Sequence, residues 1–390
     1  MPALKAIVKP ALLSWARKSA HLDSVAAARK IKVPENRISE WESGAVAPSI
    51  AELRRAANVY NRALGVFFLP EPPSDFETLR DFRRLAVGRS PEWSPSLHAE
   101  YRRAHLQREV LIEIAELDGR TVASEWHISP IRGDSDQALA EEARARLLSV
   151  APLPFPRPAA DEYAHVHFWG TSLEELGVLV TATEGGHVST DEMRAFSLNF
   201  DTLPVIVLNG ADWPRSRLFS LLHEYAHLLL HTAGICDTTT DSRARTENRR
   251  IEARCNAIAA EILMPAASVL SQASVMERDP GHVWTLRELI LAARPYGVSV
   301  ESFLRRLVTL GRVPGEHYDR FRAAHDDGAL KGSKAPGGNF YFSKARDLGK
   351  GYVRSVASAH RRALIDSHAA ATYLDVKVGQ IDRLAEAARI

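Results

Sequence analysis

The stretch Leu218-Phe219-Ser220-Leu221-Leu222-His223-Glu224-Tyr225-Ala226-His227-Leu228-Leu229-Leu230 sets two imidazoles and a carboxylate inside an apolar run. Residues i and i+4 of a helix share a face, so His223 and His227 can each offer a ring nitrogen to one Zn²⁺ at about 2 Å. Glu224, between them, is placed to take a proton from a water activated by that ion. The competing reading is a core helix with satisfied histidines. It gives three polar groups in an apolar run no reason to be there.

A catalytic zinc usually has three protein ligands and one open position. His231 follows His223 by eight residues, roughly 12 Å along the axis, and cannot share its ion. It is expected at the cleft wall, orienting substrate, or at the plain surface. The metzincin pattern also fails, because Leu230 and Ala233 stand at its Gly and His positions. Downstream, residues 251–264 have helical periodicity and stop at Pro265. Glu252 shares a face with Asn256 and is the expected third ligand, with Glu261 and Glu247 as alternatives. An oxyanion would need a further donor, for which Tyr296, His282 and His231 are available.

The first 70 residues read as a bundle of short helices. Asp23 or Ser24 would cap a helix ending near Ile31, and Val33-Pro34 marks a turn. Glu35 to Glu42 would form the next helix, stopped by Ser43-Gly44. Phe67 to Pro73 closes this module with a proline-rich linker. Residues 76–120 look like a helical connector, and a helix is expected over 137–149 before the prolines of 152–158. Strand candidates follow at 165–169, 177–183, 194–200 and 203–208, with 194–200 as the candidate edge strand for an extended substrate.

A gapless internal match joins the two ends. Asp366 to Ile381 aligns on Asp23 to Ile38 at an offset of 343, with Leu374 and Leu384 opposite Ile31 and Trp41. Either the last module repeats the shape of the first, or alanine-rich helices have matched by chance.

At 390 residues the chain is too long for one ordinary domain. With +2 overall, +6 in residues 1–70 and +5 in 333–390, the middle carries −9. Any nucleic-acid contact is therefore expected at the ends. No apolar run reaches transmembrane length, the N-terminus lacks a signal-peptide core, and Cys236 with Cys255 makes no disulfide framework. These features lead us to expect a cytoplasmic protein with no membrane partner, in which Cys255 is a small buried apolar residue.

Two resemblances now attach to these residues. His223-Glu224-Tyr225-Ala226-His227, followed by Glu252, Asn256 and Ala259-Ala260-Glu261-Ile262-Leu263-Met264-Pro265, resembles the ImmA/IrrE metallopeptidases. The segments 195–209, 215–219, 296–300 and 305–311 look like other parts of that family, so the likeness covers roughly half the chain. It implies zinc held by His223, His227 and Glu252, with Glu224 as general base. Arg254-Cys255 departs from the Glu-Ala common in the family. The N-terminal helices, with Trp41-Glu42 and Gly44 before Pro48, resemble an Xre-type helix-turn-helix. That likeness implies that Asn36, Arg37 and Ser39 face the DNA major groove.

The expected fold class is α+β. A helix-turn-helix domain (1–72) precedes a helical connector (73–150), a mixed α/β zincin-like, gluzincin-type peptidase domain (151–332) and a small helical C-terminal module (333–390) that would be a second helix-turn-helix if the match is real. The expected function is a zinc-dependent endopeptidase coupled to transcriptional regulation, whose protein substrate the resemblance implies to be a helix-turn-helix repressor. The alternative is a DNA-binding regulator or an antitoxin with a cognate toxin, using the zinc domain as a sensing or docking body. A homodimer is open to either.

Overall fold

The computed structural model describes residues 5–6, 8–20, 22–60, 62, 64–71, 93–122, 124–128, 135–157, 161–184, 187–230, 234–236, 247–324 and 339–389. The chain divides into two compact units, Met1–Arg103 and Ala104–Ile390.

The first unit is built from α1 (Pro10–Ser19), α2 (Ser24–Ile31), α3 (Glu35–Ser43) and α4 (Ile50–Tyr60). Local chemistry sets the boundaries. Pro10 opens α1, where a missing N–H costs nothing. The Asp23 carboxylate accepts from the Ala26 N–H at 2.6 Å and caps α2. Lys32, at φ 62°, turns the chain out of α2, and Gly44, at φ 79°, ends α3. The helices close over Leu13, Ala16, Ala28, Ile31, Ile38 and Trp41. Arg17 of α1 donates to Glu42 of α3 through two nitrogens, at 2.6 and 2.9 Å, a bidentate clamp.

The second unit is α+β. Strands β1 (Leu179–Ala182), β2 (Ala195–Leu198), β3 (Val205–Leu208) and β4 (Gly234–Cys236) form one sheet in the order β1-β3-β2-β4. β1 runs parallel to β3, whereas β2 is antiparallel to both β3 and β4. β2 and β3 are buried throughout, which explains their continuous rather than alternating apolar sequence. The motif helix Pro214–Leu229 packs on β2 and β3. Its flanks are the helices Glu162–Glu175 and Glu247–Leu263.

Two strand expectations are corrected here. Residues 165–169 lie in the helix Glu162–Glu175. Asp161 caps that helix by accepting from the Tyr163 N–H at 2.8 Å. Every residue from Phe168 to Leu173 is buried, together with His165, so this is a core helix and the alternation of His165-Val166-His167 misled. The segment 194–200 supplies β2, which is interior: β4 pairs on its far side and takes the edge.

Sequence boundaries and packing boundaries differ. Trp126, Leu139, Ala143 and Leu147, from the expected connector, share one core with Trp169, Leu221, Tyr225, Ile258 and Ile262. The Tyr225 hydroxyl donates to the Trp126 carbonyl at 3.2 Å. The C-terminal helices, from Phe340–Leu348 through Lys350–Arg361, Ser367–Tyr373 and Ile381–Ala387, also lie against this unit. Gly349 and Gly351 make the approach: an added Cβ would stand 2.4 Å from the Val180 carbonyl at the former and 2.6 Å from the Glu174 carboxylate at the latter. Glu174 accepts from the Gly351 N–H and from Arg354, both at 3.1 Å. Burial still pushes its carboxyl up to about 7, against the pull of Arg354 and the Gly351 N–H.

The internal match has a structural counterpart. Asp366 caps its helix through the Ala369 N–H as Asp23 does through Ala26. Asp375, at φ 49°, occupies the left-handed position of Lys32, and Val376 donates to the Ala371 carbonyl as Val33 does to Ala28. Buried positions recur at the same offset, pairing Leu13 with Val356, Ala16 with Ala359, Ile31 with Leu374 and Trp41 with Leu384. The correspondence therefore extends into Lys350–Arg361, the counterpart of α1.

Candidate metal centre

The motif helix begins at Pro214 and buries every residue from Ser220 to Leu229. Four residues of separation turn His223 and His227 to one side, with ring nitrogens Nε2 3.2 Å apart. The neighbouring helix Glu247–Leu263 brings Glu252 against both: its Oε2 is 3.2 Å from His223 Nε2 and its Oε1 is 3.4 Å from His227 Nε2. A tetrahedral ion with arms of about 2.0–2.1 Å needs donors about 3.3 Å apart. The Nε2–Nε2 spacing fits that requirement and each Glu252 oxygen stands at that distance from one imidazole, while two imidazoles with one carboxylate suit zinc. Among the described residues these three form the group able to hold a metal.

The charges agree with the geometry. Burial raises the Glu252 carboxyl, but His223 and His227 outweigh it and hold the group down at about 2. For His227 burial lowers the pKa, yet Cys255, Glu252 and Glu224 together push it up to about 10.

Glu224 sits fully buried beside this group. Its Oε2 accepts from the Ser197 hydroxyl at 2.8 Å, while its Oε1 is buried with no hydrogen-bond partner among the described residues. Burial raises the Glu224 carboxyl, with His227, His223 and Ser197 pulling the other way. An orphaned buried acceptor is costly. Ser197 was not foreseen from the sequence. The available signal was a hydroxyl in an otherwise apolar strand, Ala195-Phe196-Ser197-Leu198.

The other candidates are engaged elsewhere. Glu261 pairs with Arg306 and accepts from the Ala266 N–H. The Tyr296 hydroxyl meets Ser268 at 3.0 Å, and its ring stacks on Phe303. His282 lies 3.3 Å from Glu288. His231 and the Glu247 side chain fall outside the described residues. Cys255 is buried, as expected, and its thiol reaches His227. On α3, Asn36 and Ser39 are exposed and Arg37 is half-exposed. Asn36 donates to Glu40 at 2.8 Å and Arg37 pairs with it at 3.3 Å, so one carboxylate ties two of the three.

If the donor set is a metal site, purified wild-type chain should carry about one zinc. His227→Ala and Glu252→Ala should each lose it, by metal analysis of protein dialysed against zinc. Retention of metal in both variants would rule out this ligand set.

Comparison with known families falls where the geometry does. Residues 173–308, which span β1 to β3 and the whole donor set, match the peptidase family described as the IrrE N-terminal-like domain. Residues 13–67, spanning α1 to α4, match the helix-turn-helix family. No curated protein matches the chain. Among the described residues no helix is long and apolar enough to cross a membrane. The chain therefore carries a helix-turn-helix domain over residues 13–67 and an IrrE N-terminal-like peptidase domain over residues 173–308.

Proposed function

We propose that the chain is a zinc-dependent endopeptidase of zincin-like design coupled to transcriptional regulation, with a helix-turn-helix repressor or a related regulatory protein as its substrate. One observation carries this reading: Glu224 has one oxygen held by Ser197 and the other orphaned beside the group of His223, His227 and Glu252, which could hold a metal ion. A purely structural metal site needs no such base. His223, His227 and Glu252 would hold the ion, which when bound supplies Lewis acidity and makes water acidic near neutrality. Ser197 fixes the plane of the Glu224 carboxylate. Glu224 Oε1 then takes a proton from the attacking water and returns it to the leaving amine as the peptide bond breaks. Glu224 is itself fully buried, which keeps bulk water from competing for its carboxylate. The direct test is cleavage of a purified helix-turn-helix repressor by the zinc-loaded chain, compared with Glu224→Gln. Equal cleavage by the two would remove the reading.

A second reading is favoured by the helix-turn-helix match: the chain is a DNA-binding regulator, with Asn36, Arg37 and Ser39 on the groove-facing helix. Under it, affinity for duplex DNA should fall steeply between about 50 and 200 mM salt. Arg37→Ala should weaken binding by about 1–3 kcal/mol if it reads a base, measured by fluorescence anisotropy. A salt-independent signal would sink it.

A further inference from the structure

The second unit holds a cleft of about 550 Å³, none of whose lining residues belongs to the metal centre. Three stretches of chain wall it: the end of the helix Pro95–Leu117 with residues 120–122, residues 174–179 with Leu203, and the helix Lys350–Arg361 with residues 362–364. Small-molecule sites span about 300–1,000 Å³. Packing alone would close such a space with larger apolar side chains.

The lining is of two kinds. Leu111, Ile114, Val178, Leu179 and Leu203 supply an apolar part. The polar part comes from Gly351, Arg354, Ser355, Ser358 and Arg362, which recur every three or four residues along one side of the helix Lys350–Arg361 and its C-cap. Tyr352, Val353, Val356 and Ala357 of the same helix are buried. Arg354, Ser355 and Ser358 are half-buried, and the two serine hydroxyls bond to no other described residue.

Donors and acceptors are unequally committed here. Asp118 accepts from both Arg120 and Arg362, so two guanidiniums share one carboxylate. Glu174 accepts from the Gly351 N–H on one oxygen and from Arg354 on the other. Its carboxyl, lifted by burial to about 7, carries only part of a charge near neutral pH. Among the described lining residues Glu175 is the remaining acid, and it is exposed. Three guanidiniums thus meet two full carboxylates and a partial one. That excess is small, and the recognition lies in directed groups instead. Arg354 gives one bond to Glu174 and one to the Ala388 carbonyl at 3.2 Å, which leaves further N–H donors on its fork. An occupant is therefore met by uncommitted donors and needs acceptor oxygens.

We propose that this cleft binds a small amphipathic organic anion, its acid group held by Arg354, Ser355 and Ser358 and its apolar body laid on Leu111, Ile114 and Val178. The inference does not depend on the peptidase reading. Because the walls come from separate stretches, an occupant would tie the C-terminal helices to β1 and stabilise their packing. A carboxylate and a phosphate monoester offer the same acceptors, and both enter the test.

Isothermal titration calorimetry of the full chain with octanoate and with octyl phosphate, against octylammonium and 1-octanol, tests this. About one anion per chain is expected, bound at least about tenfold more tightly than the cation or the alcohol. Arg354→Gln should weaken it about tenfold or more by removing the charged donor, and Ser358→Leu by filling the cleft. Saturating anion should raise the thermal midpoint of the wild type and leave that of Ser358→Leu unchanged. Circular dichroism checks that both variants stay folded. Binding of either anion with these dependences supports the proposal, and the tighter one names the head group. Neither heat nor a midpoint shift with both anions at up to about 1 mM would overturn it. So would equal binding of octylammonium, or an affinity that both variants leave unchanged.

Discussion

Glu224→Gln is expected to keep one zinc per chain and to lower peptide hydrolysis by about 10²–10⁴-fold, the range for removal of a general base. Glutamine has the same shape, and its carbonyl can still accept from Ser197, so the fold and the three metal donors are untouched. Only the proton-accepting oxygen is lost. The loss should appear in kcat, because proton transfer occurs in the transition state rather than in substrate binding. Ser197→Ala gives the informative comparison. It leaves the carboxylate in place but removes its anchor, so a smaller loss of kcat is expected, together with a shift in the acidic limb of the pH profile. Burial already pushes the Glu224 carboxyl up, and the Ser197 hydroxyl opposes that push. Removing it raises the pKa further and moves the acidic limb toward higher pH. Undiminished turnover in Glu224→Gln would show that the base is another group.

Gly349→Ala is expected to be strongly destabilising to the second unit. Gly349 has φ 89° and joins the helices Phe340–Leu348 and Lys350–Arg361. A side chain in that backbone region costs about 1–3 kcal/mol. The added Cβ would also stand 2.4 Å from the Val180 carbonyl, and overpacking adds about 1–3 kcal/mol. Val180 lies in β1 and cannot step aside without disturbing its register with Ile206. A loss of about 3 kcal/mol or more should therefore appear as a lower denaturation midpoint and faster proteolysis around residue 349. Gly379→Ala is the control. It has open space around it and should be neutral or stabilising, by up to about 1 kcal/mol. Equal stability of the two variants would mean that the Gly349 contact carries no load.

Local pattern made some of this legible in the sequence. His223, His227 and Glu224 follow from one helical period, and Glu252 from a second helix with its own stop at Pro265. The helix starts at Asp23 and Asp366 were readable because a capping carboxylate acts within three residues. The repeat was readable because buried positions keep their spacing. What escaped was set by distant partners. Nothing near Trp126 announces that its carbonyl meets Tyr225, 99 residues away. β4 is three residues long and takes the sheet edge only by pairing along β2, from Ala195 with Cys236 to Ser197 with Gly234. Over residues 165–169 two periods compete, and burial against the sheet rather than local alternation decided for helix.

Under the proposed peptidase reading, the position of β4 bears on which proteins the chain would cut. Among the described residues β4 pairs on one side only, with β2. Gly234 is the register partner of Ser197, the residue that holds Glu224. A polypeptide added along that edge would have to arrive as a bare extended strand, since a helix or an already paired strand has no free main-chain groups to give. Susceptibility would then be written in the victim's own stability. Where opening is fast compared with cutting, each 1.4 kcal/mol needed to unfurl the target segment slows its destruction about tenfold. Selectivity of this kind would require no sequence code, and any condition that loosened the target segment would hasten its cutting.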